Sequence, residues 1–398
     1  EGEVNQIASV LGAFYAAQHP GPDVTQWGRM ARLKLSTDEN FRQTRPFIGV
    51  TISRAAFEAI RFFTGRSYAE RRALFASRVK GHRIRDCHGD LHLDHVHLSP
   101  EALSIFDCIE FNDRFRYIDV ASDVAFLAMD LDFHGRPDLA RHLVARMTEA
   151  MKDRGLAELM NFYKCYRAYV RGKVESLLHA AADVPAKKRA ESRARAVRYF
   201  RLALQYAVAG SAPLVLVVMG RVCSGKSTLA AALGAELGWE VFSSDRMRKE
   251  LASVPLYTRG SAAERRRLYV EGMTQRTYDA LIAGAVNALK AHRCVILDAT
   301  FGNRAHRDLL RRALGRGKAR HCFIEVRAPE AVVRRRLKER ERSRREISDA
   351  RTEDMETLNR AYDPPTELPA GARCVVNTRG TTEESVLETL RVLGRARG

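Results

Sequence analysis

The chain lacks any apolar run much longer than one β-strand, which excludes a helix of about 20 apolar residues crossing a membrane. Its first residues lack the basic and apolar pattern of a secretory signal. It has no Cys-x-x-Cys pair. Seven cysteines are dispersed (Cys87, Cys108, Cys165, Cys223, Cys294, Cys322, Cys374), an odd count without metal-ligand spacing. That excludes a disulfide framework or a cysteine-held zinc and predicts reduced thiols in a cytoplasmic protein. Acidic residues are in deficit, 48 Asp and Glu against 67 Lys and Arg, for a net charge of +19. Such a balance suits polyanionic partners, either nucleic acid or nucleotides. The basic stretches around 187–201 and 334–345 lack the interleaved aromatics on which bases stack, so nucleic acid remains only a possible partner. Composition sets no oligomeric state. At 398 residues, with 45% hydrophobic content, two domains with ordinary cores are expected.

What is present is a phosphate-binding pattern. Gly220-Arg221-Val222-Cys223-Ser224-Gly225-Lys226-Ser227 has two glycines with four residues between, then Lys and Ser. An apolar, β-branched run, Leu214 to Val218, precedes it, and a helical pattern from Thr228 to Leu237 follows. Glycines let backbone N–H groups turn toward phosphate oxygens, and the helix N-terminus adds positive potential. Gly220, Cys223, Ser224, Gly225, Lys226, Ser227 and Thr228 are therefore expected to bind ATP. Lys226 would reach the β/γ-phosphates and the Ser227 hydroxyl would hold Mg²⁺.

From Pro213 onward, strands and helices alternate, which implies a parallel sheet with crossovers. The expected strands are Leu214–Met219, Glu240–Ser243, Cys294–Leu297, His321–Val326 and Arg373–Asn377. Ligands on such sheets sit at the carboxyl ends of strands. Asp245, after the second strand, can accept a proton from a substrate hydroxyl, or it can simply cap a helix. Arg248, three residues on, would steady the acceptor or a phosphate. Asp298, ending the third strand, would order Mg²⁺ or the substrate, with a cap again the alternative. After Ala328-Pro329-Glu330 a helix carries Arg334, Arg336 and Arg340. Arg336 and Arg340 share a face and would neutralise charge on the transferring phosphate, unless the run is a solvated basic face.

Residues 213–398 resemble the P-loop kinase family that groups gluconate-kinase-like, zeta-toxin-like and polynucleotide-kinase-like enzymes. The P-loop, Ser243-Ser244-Asp245-x-x-Arg248, Asp298-Ala299-Thr300 and Ala328-Pro329-Glu330 carry the likeness in order. It implies transfer of the ATP γ-phosphate to a hydroxyl and leaves the acceptor open.

The first half holds a second signature, Asp86-Cys87-His88-Gly89-Asp90-Leu91-His92-Leu93, followed by Ile105-Phe106-Asp107-Cys108-Ile109-Glu110. It resembles the aminoglycoside phosphotransferase family, and the order of the two halves is similar to a family that fuses such a domain to an ATP-binding kinase. By that resemblance Asp90 orients the acceptor hydroxyl and Asp107 holds Mg²⁺. His95 stands where that pattern has a metal-binding Asn, and imidazole is the poorer Mg²⁺ ligand. No Gly-rich loop and strand lysine precede Asp90, so either an amino-terminal segment lies outside this sequence or this half is a helical lobe without its own ATP clamp; the sequence opens with an amphipathic helix presenting Val4, Ile7, Leu11 and Phe14. His82, His88, His92, His95 and His97 crowd this region. A metal site is conceivable, but the alternation of His95 and His97 with Val96 and Leu98 reads as a strand leaving a loop.

Residues 161–209 read as helical, with Tyr163, Tyr166 and Tyr169 forming a core stripe. The short small-residue link Ala207–Ala212 marks the boundary. The expected organisation is a mainly helical phosphotransferase-like domain over 1–208 and an α/β P-loop kinase domain over 213–398, with a five-stranded parallel sheet. The expected activity is cytoplasmic transfer of phosphate from Mg·ATP to a hydroxyl of a small molecule. A 5′-hydroxyl polynucleotide kinase and a nucleotide-gated regulatory module without transfer are the alternatives.

Overall fold

The computed structural model describes all residues except 100–101, 259–261, 317–318, 343–345, 349–350, 352–356, 358–359, 370 and 396–398, with the backbone alone at 262, 264, 265 and 316. The chain divides into two compact units, Glu1–Ser211 and Ala212–Arg397.

The first unit is mainly helical. Its centre is the helix Val120–Phe133, whose residues 120–131 are all buried. A helix apolar on every side needs neighbours all round. They include Pro137–Ala150 and Arg154–Ala180, while the opening helix Gly2–Ala16 packs on Pro137–Ala150 and reaches Asp123 through the Tyr15 hydroxyl. That opening helix buries Val4, Ile7, Leu11 and Tyr15. Phe14, expected inward, is 45% exposed, because the stripe steps from Leu11 to Tyr15 by four residues rather than three. Of the tyrosine stripe, Tyr163 and Tyr169 are buried and Tyr166 is half-buried.

Two short antiparallel pairs complete this unit: β1 (Ile84–Asp86) with β4 (Tyr117–Asp119), and β2 (Val96–Leu98) with β3 (Leu103–Ile105). The buried Arg78 guanidinium locks β4 to the helices. It donates to Asp119 at 2.8 and 2.6 Å and to Asp153 at 2.6 Å. Both carboxylates also cap helix starts, Asp119 accepting from Ala121 N and Asp153 from Leu156 N. The paired carboxylates raise the guanidinium pKa above its ordinary value despite burial, which acts the other way.

The second unit is a five-stranded, all-parallel sheet of β5 (Leu214–Gly220), β6 (Glu240–Ser243), β7 (Val295–Asp298), β8 (Arg320–Arg327) and β9 (Arg373–Asn377). The spatial order is β6-β7-β5-β8-β9. The expected strands are all found. β5 runs one residue further than expected, β8 one further at each end, and β7 is shifted one residue on, so that it ends on Asp298, which pairs with Val218 and Ser243. β5 and β7 are fully buried, as a parallel sheet covered by crossover helices requires. The chain leaves central β5 for β6 and β7 on one side, then crosses to β8 and β9 on the other. Such a reversal opens a crevice beyond the carboxyl ends of the central strands.

Candidate functional site

The loop between β5 and the helix Lys226–Leu237 is built by conformations few residues accept. Gly220 has φ +146°, and a Cβ there would lie 2.4 Å from the Val326 carbonyl oxygen. Gly225, the N-cap, has φ +95°. A Cβ on it would meet Arg336 Nη1 at 2.9 Å, so both glycines are sterically required. Cys223 is also left-handed, at φ +56°. The helix start then presents Lys226, Ser227 and Thr228 at its positive end, the arrangement that binds phosphate.

Asp298 ends β7 beside this loop and is 4% exposed. Desolvation raises its carboxyl pKa above the ordinary range. The Lys226 ammonium and hydrogen bonds with Ser227 and Ser243 oppose that rise, and nearby Asp245 adds to it. Its Oδ1 is buried without a hydrogen-bond partner, as is the hydroxyl of Ser224. An orphaned buried carboxylate oxygen next to a P-loop serine is what a hard divalent cation or its water shell would satisfy, so this donor set fits Mg²⁺. Asp298 is not a helix cap, since the next helix begins at Arg304.

Asp245 is the second residue of the helix Ser244–Leu251, and Ser243 holds the cap position. Half-buried Asp245 thus lies in the first turn, close enough to Asp298 and Tyr278 to perturb both. Arg248 is placed differently from the expectation. Its Nη1 donates to the Leu268 carbonyl at 3.0 Å and to Thr274 Oγ1 at 3.1 Å, with the Tyr269 ring 4.5 Å away. It is buried as a brace of the wall beside Asp245 and not presented as an open cation.

The two lid arginines are distinct. Arg336, on the helix Glu330–Arg342, donates from Nη1 to the Ser224 carbonyl at 3.1 Å and from Nη2 to the Thr378 carbonyl at 2.7 Å. Thr378 Oγ1 donates to the same Ser224 carbonyl. Arg336 therefore fastens the P-loop to the end of β9. Arg340 lies 3.1 Å from Glu346. Both arginines line a cavity of about 430 Å³ together with Cys223, Gly225, Thr228 and Thr381. Its position between the P-loop, lid helix and β9 end suits the base and sugar of a nucleotide.

Several residues escaped the sequence reading. Thr378 is one. Arg307 is another: it is fully buried, donating to Glu367 at 2.6 Å and to the carbonyls of Phe301 and Asp363 at 2.8 and 3.0 Å. It ties the loop after Asp298 to residues 362–367. Its signal was present, since Arg307, Leu310 and Leu314 fall on one helical face. Arg221 packs 5.5 Å from the Tyr362 ring beside a second cavity of about 350 Å³.

In the first unit, Asp123 anchors the His-Gly-Asp loop, accepting from His88 N at 2.9 Å, Gly89 N at 3.0 Å and the Tyr15 hydroxyl at 2.8 Å. Asp90 lies 3.4 Å from His92 Nε2, which with the basic Arg167 and Arg171 outweighs desolvation and lowers its pKa. Asp107 is left-handed at φ +61°, its side chain 74% exposed and 3.3 Å from His95 Nε2. His95 closes a short 3₁₀ turn, Leu93–His95, and β2 follows, as the alternation of His95 and His97 implied.

Residues 215–365 match the AAA domain family. An uncharacterized protein of Mycobacterium bovis is 32% identical over 312 residues, 78% of this chain and 61% of the relative. Counterparts in two strains of Mycobacterium tuberculosis match equally. The chain thus spans about three fifths of the length of these relatives. Among solved structures, a sugar kinase from Janibacter is similar over 46% of this chain and 94% of its own, at 19% identity and TM-score 0.34. A gluconokinase from Sinorhizobium meliloti is similar over 46% and 92%, at 19% identity and TM-score 0.33. The APS kinase of Mycobacterium tuberculosis is similar over 46% and 97%, at 18% identity and TM-score 0.33. Among the described residues, no helix is long and apolar enough to cross a membrane.

Proposed function

We propose that the second unit transfers the γ-phosphate of Mg·ATP to a hydroxyl of a small molecule. The observation that carries this reading is Asp298, a buried carboxylate with one unpartnered oxygen, set against Lys226 and Ser227 at the mouth of the P-loop. Ser227 and Asp298 would hold Mg²⁺, which when bound neutralises charge on the phosphates. Lys226 and the loop N–H groups position the β- and γ-phosphates. Asp245 takes the proton of the acceptor hydroxyl as its oxygen bonds to the γ-phosphorus. The bond from that phosphorus to the β-γ bridging oxygen breaks, and ADP leaves. Arg336 keeps the P-loop in shape, and Arg340 supplies positive charge across the nucleotide cavity.

The small-molecule acceptor is favoured over a nucleic acid by the state of the lid helix. Arg334 pairs with Glu330 at 2.6 Å and Arg335 with Glu339 at 3.7 Å, while Arg336 is engaged by the P-loop. Two of its cations are paired within the helix and a third is held by the P-loop, which leaves less of its charge for a phosphate track. Incubation with γ-labelled ATP and three acceptor pools (metabolites, aminoglycosides, 5′-hydroxyl oligonucleotides) tests the assignment. Label is expected in the metabolite or aminoglycoside pool, and label confined to oligonucleotides would overturn it.

A further inference from the structure

We propose that Asp90, His92 and His95 of the first unit form a site for a divalent transition ion of the zinc class, distinct in donor chemistry from the Mg²⁺ site at the P-loop. One ligand atom from each of the three residues lies within 4.8 Å of the others. Asp90 Oδ2 stands 3.4 Å from His92 Nε2 and 3.9 Å from His95 Nδ1. Zinc–nitrogen and zinc–oxygen bonds of about 2.0–2.2 Å in a tetrahedron put neighbouring ligand atoms about 3.3–3.6 Å apart, so little movement closes this set on an ion.

The hydrogen-bond inventory points the same way. A neutral imidazole carries one proton on its two nitrogens. His92 is 5% exposed, yet its Nε2 faces Asp90 at 3.4 Å and its Nδ1, without a hydrogen-bond partner, faces Asp94 Oδ2 at 3.5 Å. One nitrogen lone pair therefore confronts a carboxylate. His95 repeats the pattern. Its Nδ1 lies 2.9 Å from the Asp90 carbonyl oxygen and its Nε2 3.3 Å from Asp107 Oδ2, so with the single proton on Nε2 toward Asp107 the Nδ1 lone pair is left beside Asp90 for an ion. Acceptors facing acceptors around two rings are reconciled by a cation. Three carboxylates, Asp90, Asp94 and Asp107, surround the rings and supply the compensating charge. Asp94 behind His92 occupies the outer position from which a carboxylate orients a metal-bound imidazole.

Donor type selects the ion. Two imidazoles with carboxylate oxygen suit zinc and its neighbours, whereas Mg²⁺ prefers oxygen ligands throughout. All three ligands lie on the loop from Asp90 to His95, and Asp107, on the loop after β3, meets that loop at His95 Nε2.

The test uses the full chain, freed of metal by dialysis and titrated with Zn²⁺ and with Co²⁺ as a spectroscopic probe, with Mg²⁺ as control. The expected result is one equivalent of Co²⁺ bound with visible d–d bands, and a Tm raised by Zn²⁺ but not by equimolar Mg²⁺. His92→Ala and His95→Ala should each weaken binding at least about tenfold, and Asp94→Asn, touching the outer position, by about tenfold. Lys226→Ala should bind Co²⁺ as the parent does. His95→Asn, a milder change, serves if an alanine variant does not fold. The proposal is overturned if the folded parent binds no equivalent of Zn²⁺ or Co²⁺, or if binding survives loss of both imidazoles.

Discussion

Each half of the chain sets carboxylates beside a loop, in opposite surroundings. Asp298 is buried, bonded to Ser227 and Ser243, and faces a lysine, while the loop beside it is fixed by two obligatory glycines and the Arg336–Thr378 brace. Asp107 is exposed on a left-handed turn with an imidazole as its neighbour. The first arrangement holds its charges in place before any ligand arrives, and preorganised charge in a water-poor site acts most strongly on a reacting phosphate. The second leaves Asp107 in solvent, where its charge interacts weakly. A motif in sequence is thus only half of a site; burial and bracing make the other half.

Four substitutions sharpen this contrast. The largest effect is expected from Asp245→Asn, which removes a proton acceptor and keeps the shape. Phosphate transfer should fall about 10²–10⁴-fold. Because Ser243 and not Asp245 occupies the cap position, Tm and ATP affinity should change little. Transfer at the parent rate would mean that another group activates the acceptor.

Arg78→Met leaves Asp119 and Asp153 buried without their cation, which typically costs about 3–5 kcal/mol. The effect should be confined to the first unit. The two tryptophans, Trp27 and Trp239, lie one in each unit, so fluorescence of Trp239→Phe and Trp27→Phe backgrounds can follow each unit separately in urea. An equal loss in both would show that the units unfold as one.

Arg336→Ala removes charge-assisted bonds to the Ser224 and Thr378 carbonyls, each worth about 1.5–3 kcal/mol, and ATP affinity by calorimetry should fall about tenfold. Affinity unchanged would reduce Arg336 to a surface residue.

The smallest effect is one of stability. The folded Asp298 carboxyl has its pKa raised above the unfolded value, so the folded state binds the proton more tightly. Full stability is present below the unfolded carboxylate pKa and declines as pH rises through it toward the raised folded value. Asp298→Asn lacks that decline. Its ligand-free Tm at pH 7 should exceed the parent's by on the order of 2–4 °C, while stabilisation by Mg·ATP disappears. A Tm difference that does not grow between pH 4 and pH 7 would contradict this.

Much of the second unit was legible in the sequence because parallel strands buried on both faces read as continuous apolar runs. The positions of the five strands along the chain followed from that pattern, with the P-loop and Asp298 at their carboxyl ends, while the spatial order β6-β7-β5-β8-β9 came only from the fold. Brace residues did not. Thr378 and Arg336 meet across more than 40 positions of chain, and polar contacts of that span leave no local periodicity. Arg248 looked like an open cation because helical spacing gives the face of a residue but not what covers it; the Leu268 carbonyl and Tyr269 ring cover it here. In the first unit, the loop fixed by Asp123 and the locked Arg78 were invisible for the same reason. The histidines were visible as a cluster, but which nitrogens face which carboxylates emerged only from the folded loop.

The most direct measurement is a calorimetric titration of Mg·ATP into the parent chain, Lys226→Ala and Asp90→Ala, with ATP turnover recorded alongside. Removing the Lys226 charge from the phosphates should weaken ATP binding at least about tenfold with the fold intact, since charge-assisted contacts to phosphate are the strong ones. Asp90→Ala should bind and turn over ATP as the parent does. ATP binding indifferent to Lys226→Ala, or turnover falling as far in Asp90→Ala as in Lys226→Ala, would contradict the assignment of phosphate transfer to the second unit.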